Sequence, residues 1–225
     1  MSPQPQASAL LLLDLDGVVV LEHGPPWLKQ LEILRLHDSL VQVLQELTVP
    51  IVVVTHRSRA EAKRILLAAG VGTQVSRHVA AAEDLALAAL RHRGISRLMT
   101  RGLRKSLILP ALELRYGISR QSMALIDDRQ DNLDDMLSQG LGFAIHAPSS
   151  VTADGDLITF GISELRDVFL RWREGLPGPR LVRLTPRSLT LANCGRTGVC
   201  TTAAGAHTFN RLRSVAQRAR RALQH

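Results

Sequence analysis

The sequence predicts an α/β fold, a parallel sheet flanked by helices and followed by an arginine-rich C-terminal extension. Three observations predict it. Short apolar runs at Leu10–Leu13, Ile51–Val54 and Met123–Ile126 alternate with longer stretches of helical periodicity. Each of these runs delivers a polar residue at its end: Asp14, Thr55 and Asp127. The acids stop after Glu174, whereas the arginines continue.

Taken in order, Leu10–Leu13 is a strand candidate ending at Asp14, with a turn over Gly17–Pro26. A helical pattern follows from about Leu34 to Leu47, broken by Pro50. Ile51–Val54 is the clearest strand, four β-branched residues running into Thr55. Ser58-Arg59-Ala60-Glu61 forms a capping box that starts a helix ending near Ala69 and Gly70. A strand over Thr73–Val79 and an alanine-rich helix from Ala81 to His92 come next. A helix from Arg104 to Tyr116 stops at Gly117, and Met123–Ile126 then runs into Asp127-Asp128. A short helix over Asn132–Ser138 closes at Gly140, Gly142–Ile145 reads as the last strand, and Ser163–Trp172 as the final helix. Leu176-Pro177-Gly178-Pro179 marks a linker. The expected organisation is a flexible N-terminus over 1–8, an α/β domain over 9–174 and a basic extension over 175–225.

The chain has 225 residues, 45 % of them apolar and 21 % charged, which is globular composition and excludes wholesale disorder, collagen and a coiled-coil rod. No apolar run approaches the ~20 residues a membrane span needs, so no transmembrane segment is expected. The N-terminal stretch lacks the basic residues of a secretory signal. With 2 cysteines, Cys194 and Cys200, a disulfide framework is not expected, and a reducing cytoplasmic location fits. His207 does not complete a zinc site with them. Residues 1–170 hold 14 arginines and 3 lysines against 19 acids, a net charge of −2. Residues 171–225 hold 11 arginines against Glu174 alone, a net charge of +10. The basic character belongs to the end of the chain.

In an open parallel sheet, ligands bind beyond the carboxyl ends of the strands. Asp14, Thr55 and Asp127 would gather there despite their distance along the chain. Asp14 and Asp127 could hold a hard cation such as Mg²⁺, which prefers carboxylate oxygens. Asp16 can point to the same side, because strand alternation has period two. Thr55 precedes a helix N-terminus, whose free N–H groups suit a phosphate. Taken singly, an acid after a strand also serves as a turn or cap residue. Asp134 and Asp135 are read in that way, as charge at a helix N-terminus.

The stretch Leu11-Leu12-Leu13-Asp14-Leu15-Asp16-Gly17-Val18 resembles the first motif of the haloacid dehalogenase (HAD) superfamily of phosphatases. Val52-Val53-Val54-Thr55 resembles its second, and Leu125-Ile126-Asp127-Asp128-Arg129-Gln130-Asp131-Asn132 its fourth. Lys105, 22 residues before Asp127 at the head of a helix, matches the third. The resemblance covers residues 9 to about 172 and implies a Rossmann-like sheet and a Mg²⁺-dependent phosphohydrolase. It implies that Asp14 is a nucleophile phosphorylated during turnover, and that Asp16 is the general acid and base. It implies Mg²⁺ ligation by Asp14, Asp16 through its backbone carbonyl, and Asp127, with Asp128 or Asp131 in support. It implies phosphate binding by Thr55 and Lys105. Lys63, the rival lysine, sits within the helix after Thr55 and should point away. His56 and Arg57 depart from the family pattern; His56 is a further phosphate-binding candidate, and Arg57 is expected to be solvated.

Only 39 residues separate Asp16 from Thr55, so the resemblance further implies a capless or minimally capped, open site. The resemblance implies large substrates for such a site, such as nucleic-acid ends, nucleotides or phosphoproteins, with small molecules in some members. Residues 180–191 alternate basic and apolar residues as an extended docking segment would, and Phe209, Leu212, Ala216, Ala219 and Leu223 follow helical spacing among arginines. The expected partners are a phosphorylated substrate and, through residues 180–225, nucleic acid or an acidic protein. Two other readings use the same residues: a weakly active binding protein whose basic tail carries the function, and a phosphotransferase with an acceptor other than water.

Overall fold

The run of four leucines, Leu10–Leu13 (β1), is the centre of a six-stranded parallel sheet. The computed structural model describes residues 9–23, 32–35, 40–69, 71, 75, 77–91, 102–152 and 157–189. β1 pairs on one side with Ile51–Val54 (β4), Leu11 opposite Ile51, and on the other with Met123–Asp127 (β6), Leu10 opposite Met123. Val79–Ala80 (β5) flanks β4, and Phe143–His146 (β7) flanks β6. Leu181–Arg183 (β10) closes the sheet beyond β7, giving the order β10-β7-β6-β1-β4-β5. A central parallel strand is covered on both faces, which is why β1 is apolar at every position and fully buried.

Strand alternation divides the core into two layers. Leu11, Leu13, Val53, Ala124 and Ile126 face one cluster, to which Leu40–Glu46 (α1), Arg59–Ala68 (α2) and Ile162–Arg173 (α6) contribute Leu44, Ile65 and Phe169. Leu10, Leu12, Val52, Val54 and Leu125 face the other. There Ala82–Arg91 (α3), Leu109–Tyr116 (α4) and Gln130–Ser138 (α5) contribute Leu85, Leu112 and Met136. α2 begins as its capping box requires, Ser58 Oγ accepting from the Glu61 N–H at 3.2 Å. α4 follows a 3₁₀ turn over Lys105–Ile108 and ends at Gly117, whose φ of 65° is the left-handed cap that glycine supplies.

The structure corrects the expected boundaries in three places. Among the described residues, the helix expected from Leu34 comprises Leu40–Glu46, residues 36–39 lying outside them, and Glu32–Arg35 (β3) is instead an antiparallel partner of Val20–His23 (β2). Among the described residues, the strand expected over 73–79 comprises Val79–Ala80, residues 72–74 and 76 lying outside them. β7 is not the last strand: Ser150–Val151 (β8), Leu157–Phe160 (β9) and Pro186–Leu189 (β11) form a second, antiparallel sheet in the order β11-β9-β8.

The proposed docking segment therefore docks on its own chain. β10 pairs with β7 and β11 with β9, while Leu184 between them is 2 % exposed. Of the residues there, Leu184 enters the core, Leu181 and Val182 are part-buried, and Arg183, Arg187 and Ser188 are exposed. Cys194, Cys200, His207 and the Phe209–Leu223 pattern lie outside the described residues, as do residues 1–8. A chain ending after Glu174 loses two strands and uncovers the edges of β7 and β9, so it should lose cooperative thermal unfolding. Leu184→Ala should lower unfolding free energy by about 2–5 kcal/mol in a denaturant titration.

Candidate active site

Three strands end where the sequence places their polar residues, and their parallel register brings the two acids among them together. Asp14 follows β1, and its N–H donates to Ile126 O of β6 at 3.0 Å. Asp127 is the last residue of β6. The 3₁₀ turn before α4 carries Lys105 between them: its Nζ lies 2.6 Å from Asp14 Oδ1 and 2.6 Å from Asp127 Oδ2. All three side chains are buried. Each carboxylate is also held by backbone, Asp14 Oδ1 accepting from Leu15 N at 2.7 Å and Asp127 Oδ1 from Arg129 N at 2.9 Å. Asn132 Nδ2 donates to both Asp127 oxygens at 3.1 Å.

Asp128 completes the acidic group, and carboxylate oxygens of Asp14, Asp127 and Asp128 lie within 4.8 Å of one another. Asp128 Oδ2 accepts from Ser149 Oγ at 3.3 Å, and its backbone carbonyl contacts His146 Nε2 at 3.0 Å. Gly17 makes room for it. A Cβ at residue 17 would overlap Asp128 Oδ2, and the φ of 81° is one that glycine adopts without strain. The glycine that closes the first motif is thus required by a carboxylate of the fourth.

The charges do not balance. Ionised together, three carboxylates against one ammonium would leave two negative charges in a largely buried volume. Burial holds the Asp14 carboxyl well above its usual range, with the Asp127 charge adding to the rise and Lys105 opposing it. Asp128 is likewise pushed up, by burial and then by Asp127. Burial works against the Lys105 charge, but Asp14 and Asp127 outweigh it and hold the ammonium above its ordinary value. A divalent cation with oxygen ligands supplies the missing charge, and the donor set suits a hard ion. The acids present therefore fit Mg²⁺.

A cavity of about 310 Å³ opens above this group, with Asp14, Asp16, His56, Arg57, Lys105 and Asp128 among its lining. Thr55, at the end of β4, is fully buried, donates its N–H to Ala80 O at 3.0 Å and is not part of that lining. Its Oγ1 accepts from the Arg57 N–H at 3.2 Å. His56 does line the cavity, with its imidazole pKa lowered by burial and then by the Lys105 charge. Asp131 stands apart: it is exposed and pairs with Arg129 at 2.7 Å rather than joining the Asp14 group.

Arg57 is a correction. Expected to be solvated, its side chain is 19 % exposed, and its Nε lies 3.0 and 2.9 Å from the two Asp16 oxygens. Its Nη1 meets Glu61 Oε1 at 2.7 Å, in the first turn of α2. The guanidinium thus ties Asp16, after β1, to the start of the helix after β4. The sequence carried a signal for the second contact, since Arg57 and Glu61 are four apart. It carried none for the first, which spans 41 residues. Asn132 was also missed as a functional residue, although it sits in the fourth motif one helical turn beyond Asp128.

No protein-family model matches the chain, and no curated protein is similar to it in sequence. Solved structures are similar in fold. A hypothetical protein of Xanthomonas campestris is 16 % identical, with a TM-score of 0.42, over 63 % of this chain. The match spans 65 % of that protein, just under two thirds of its length. The 3-deoxy-D-manno-octulosonate 8-phosphate phosphatase of Moraxella catarrhalis, solved with magnesium, phosphate and its sugar, is 18 % identical with a TM-score of 0.42, covering 76 % of this chain and 88 % of its own. A HAD-like phosphatase of Mesorhizobium loti is 18 % identical with a TM-score of 0.49, covering 78 % of this chain and 91 % of its own.

Proposed function

We propose that the chain is a Mg²⁺-dependent phosphomonoesterase working through a phosphorylated Asp14. The observation that carries this reading is the charge imbalance at the strand ends: Asp14, Asp127 and Asp128 around the single ammonium of Lys105, beside a cavity. Asp14, Asp127 and Asp128 would hold the ion. Bound there, Mg²⁺ would neutralise charge on the phosphoryl oxygens.

The chain's own residues divide the remaining work. Asp14 attacks phosphorus, the ester P–O bond breaks, and Asp16 gives a proton to the departing oxygen, releasing an alcohol. Water then attacks the Asp14 acyl phosphate and yields its proton to Asp16. The P–O bond to Asp14 breaks, and inorganic phosphate leaves. Lys105 offers positive charge to the transferring group while keeping Asp14 and Asp127 in position. His56 is a further phosphate contact in this reading, whereas Thr55, outside the cavity lining, accepts from the Arg57 N–H. Arg57 is a positioning residue: it fixes where the Asp16 oxygens lie, and Glu61 fixes Arg57. The net charge of +10 over residues 171–225 supports a polyanionic substrate such as a nucleic-acid end.

Asp14→Asn should abolish hydrolysis of p-nitrophenyl phosphate with an unchanged circular dichroism spectrum, since an amide is a poor nucleophile; full turnover would refute the assignment. Added Mg²⁺ should raise the thermal unfolding midpoint, and Asp127→Asn should remove that shift. Arg57→Ala should lower kcat about 10- to 100-fold with little change in KM, because it displaces a catalytic group without removing it. Arg57→Lys should recover part of the loss.

A further inference from the structure

The opposite edge of the main sheet holds a second cleft, of about 620 Å³. Ala9, Ser122, Gly142 and Arg180, which line it, each immediately precede a strand: β1, β6, β7 and β10. Because these strands are parallel, the cleft lies one strand length, roughly 15 Å, from the carboxylate group. None of its lining residues lines the catalytic cavity. The end of α6 and the loop after it form the remaining wall. That loop is fixed to the helix: Gly175 N donates to Trp172 O at 3.0 Å, Leu176 N donates to Arg171 O at 3.1 Å, and Gly175 turns at a φ of 65°.

Three arginines line this cleft, Arg171, Arg173 and Arg180, and no acidic residue does. Arg180 is anchored, donating to Leu141 O and Gly142 O at the start of β7. Arg171 and Arg173 are exposed, and among the described residues neither joins an ion pair. The C-terminal end of α6 would by itself disfavour an anion, so recognition falls to these side chains. Trp172 and Phe143, part-buried and packed against the core, also line the cleft, as do Gln121 and Ser122, whose side chains carry an amide and a hydroxyl. Arginine forks match phosphate oxygens, aromatic faces take a planar ring, and the volume is that of a small-molecule site.

We propose that this cleft binds a nucleotide, its base against Trp172 and Phe143 and its phosphate at Arg171 and Arg173. The site is separate from the proposed phosphatase centre and stands or falls independently of it. The test uses the full chain carrying Trp27→Phe, which leaves Trp172 as the sole tryptophan of the 2 present. With a chelator present to exclude turnover, AMP should quench Trp172 emission saturably. Adenosine, ribose 5-phosphate and inorganic phosphate should each bind at least about 10-fold more weakly, since each lacks one half of the contact. Arg171→Ala and Arg173→Ala should each weaken AMP about 10-fold while leaving p-nitrophenyl phosphate turnover and the unfolding midpoint unchanged. Arg173→Ala carries the test if Arg171→Ala does not fold. Three results would overturn the proposal: no saturable quenching by AMP, inorganic phosphate binding as tightly as AMP, or AMP affinity indifferent to the arginine variants.

Discussion

Lys105 Nζ lies 2.6 Å from carboxylate oxygens of both Asp14 and Asp127, and this contact joins β1, β6 and the turn that opens α4. A buried ion pair is costly to assemble and more costly to leave half made. Here the ammonium has two acceptors, and each carboxylate has backbone donors besides it, so every member is satisfied before a ligand arrives. The strands deliver the acids, but the lysine makes two carboxylates tolerable at the covered end of a sheet. It does not neutralise them fully, and the residual negative charge is what gives the site its affinity for a divalent ion in the proposed mechanism.

The second organising contact is electrostatic as well. Arg57 holds Asp16 through Nε and Glu61 through Nη1, coupling the loop after β1 to the start of α2. Asp14 and Asp16 are two residues apart, yet their environments differ sharply: Asp14 is buried beside an ammonium and other acids, whereas Asp16 is part-exposed beside a guanidinium. Two carboxylates in unlike surroundings suit unlike tasks, one as nucleophile and one as proton carrier.

What the sequence revealed follows from how local each signal is. Leu10–Leu13, Ile51–Val54 and Met123–Ile126 are apolar at every position, as buried parallel strands must be, and their terminal polar residues stand out against that background. The Ser58 cap was legible because its partner lies three residues away. The β2–β3 pairing was not, since apolar residues around Leu34 continue the helical period of Leu40–Glu46. β8 has two residues, too few for any period, and β10 depends on a partner 37 residues upstream. The Arg57 to Asp16 pair is long-range in the same way, so a side chain expected in solvent lies against the candidate proton carrier. Gly17 was readable as part of a motif, but its reason, the Asp128 carboxylate beside it, belongs to the fold.

The central claim is that Asp14 carries the phosphoryl group. Acid-quenching the full chain during turnover of p-nitrophenyl phosphate with Mg²⁺, followed by borohydride reduction and peptide mass spectrometry, tests it most directly. An acyl phosphate is reduced where a free carboxylate is not, so the account predicts conversion of Asp14, and of no other acid, to homoserine. Turnover with Asp14 unmodified throughout, or conversion at Asp16 or Asp127 instead, would contradict it.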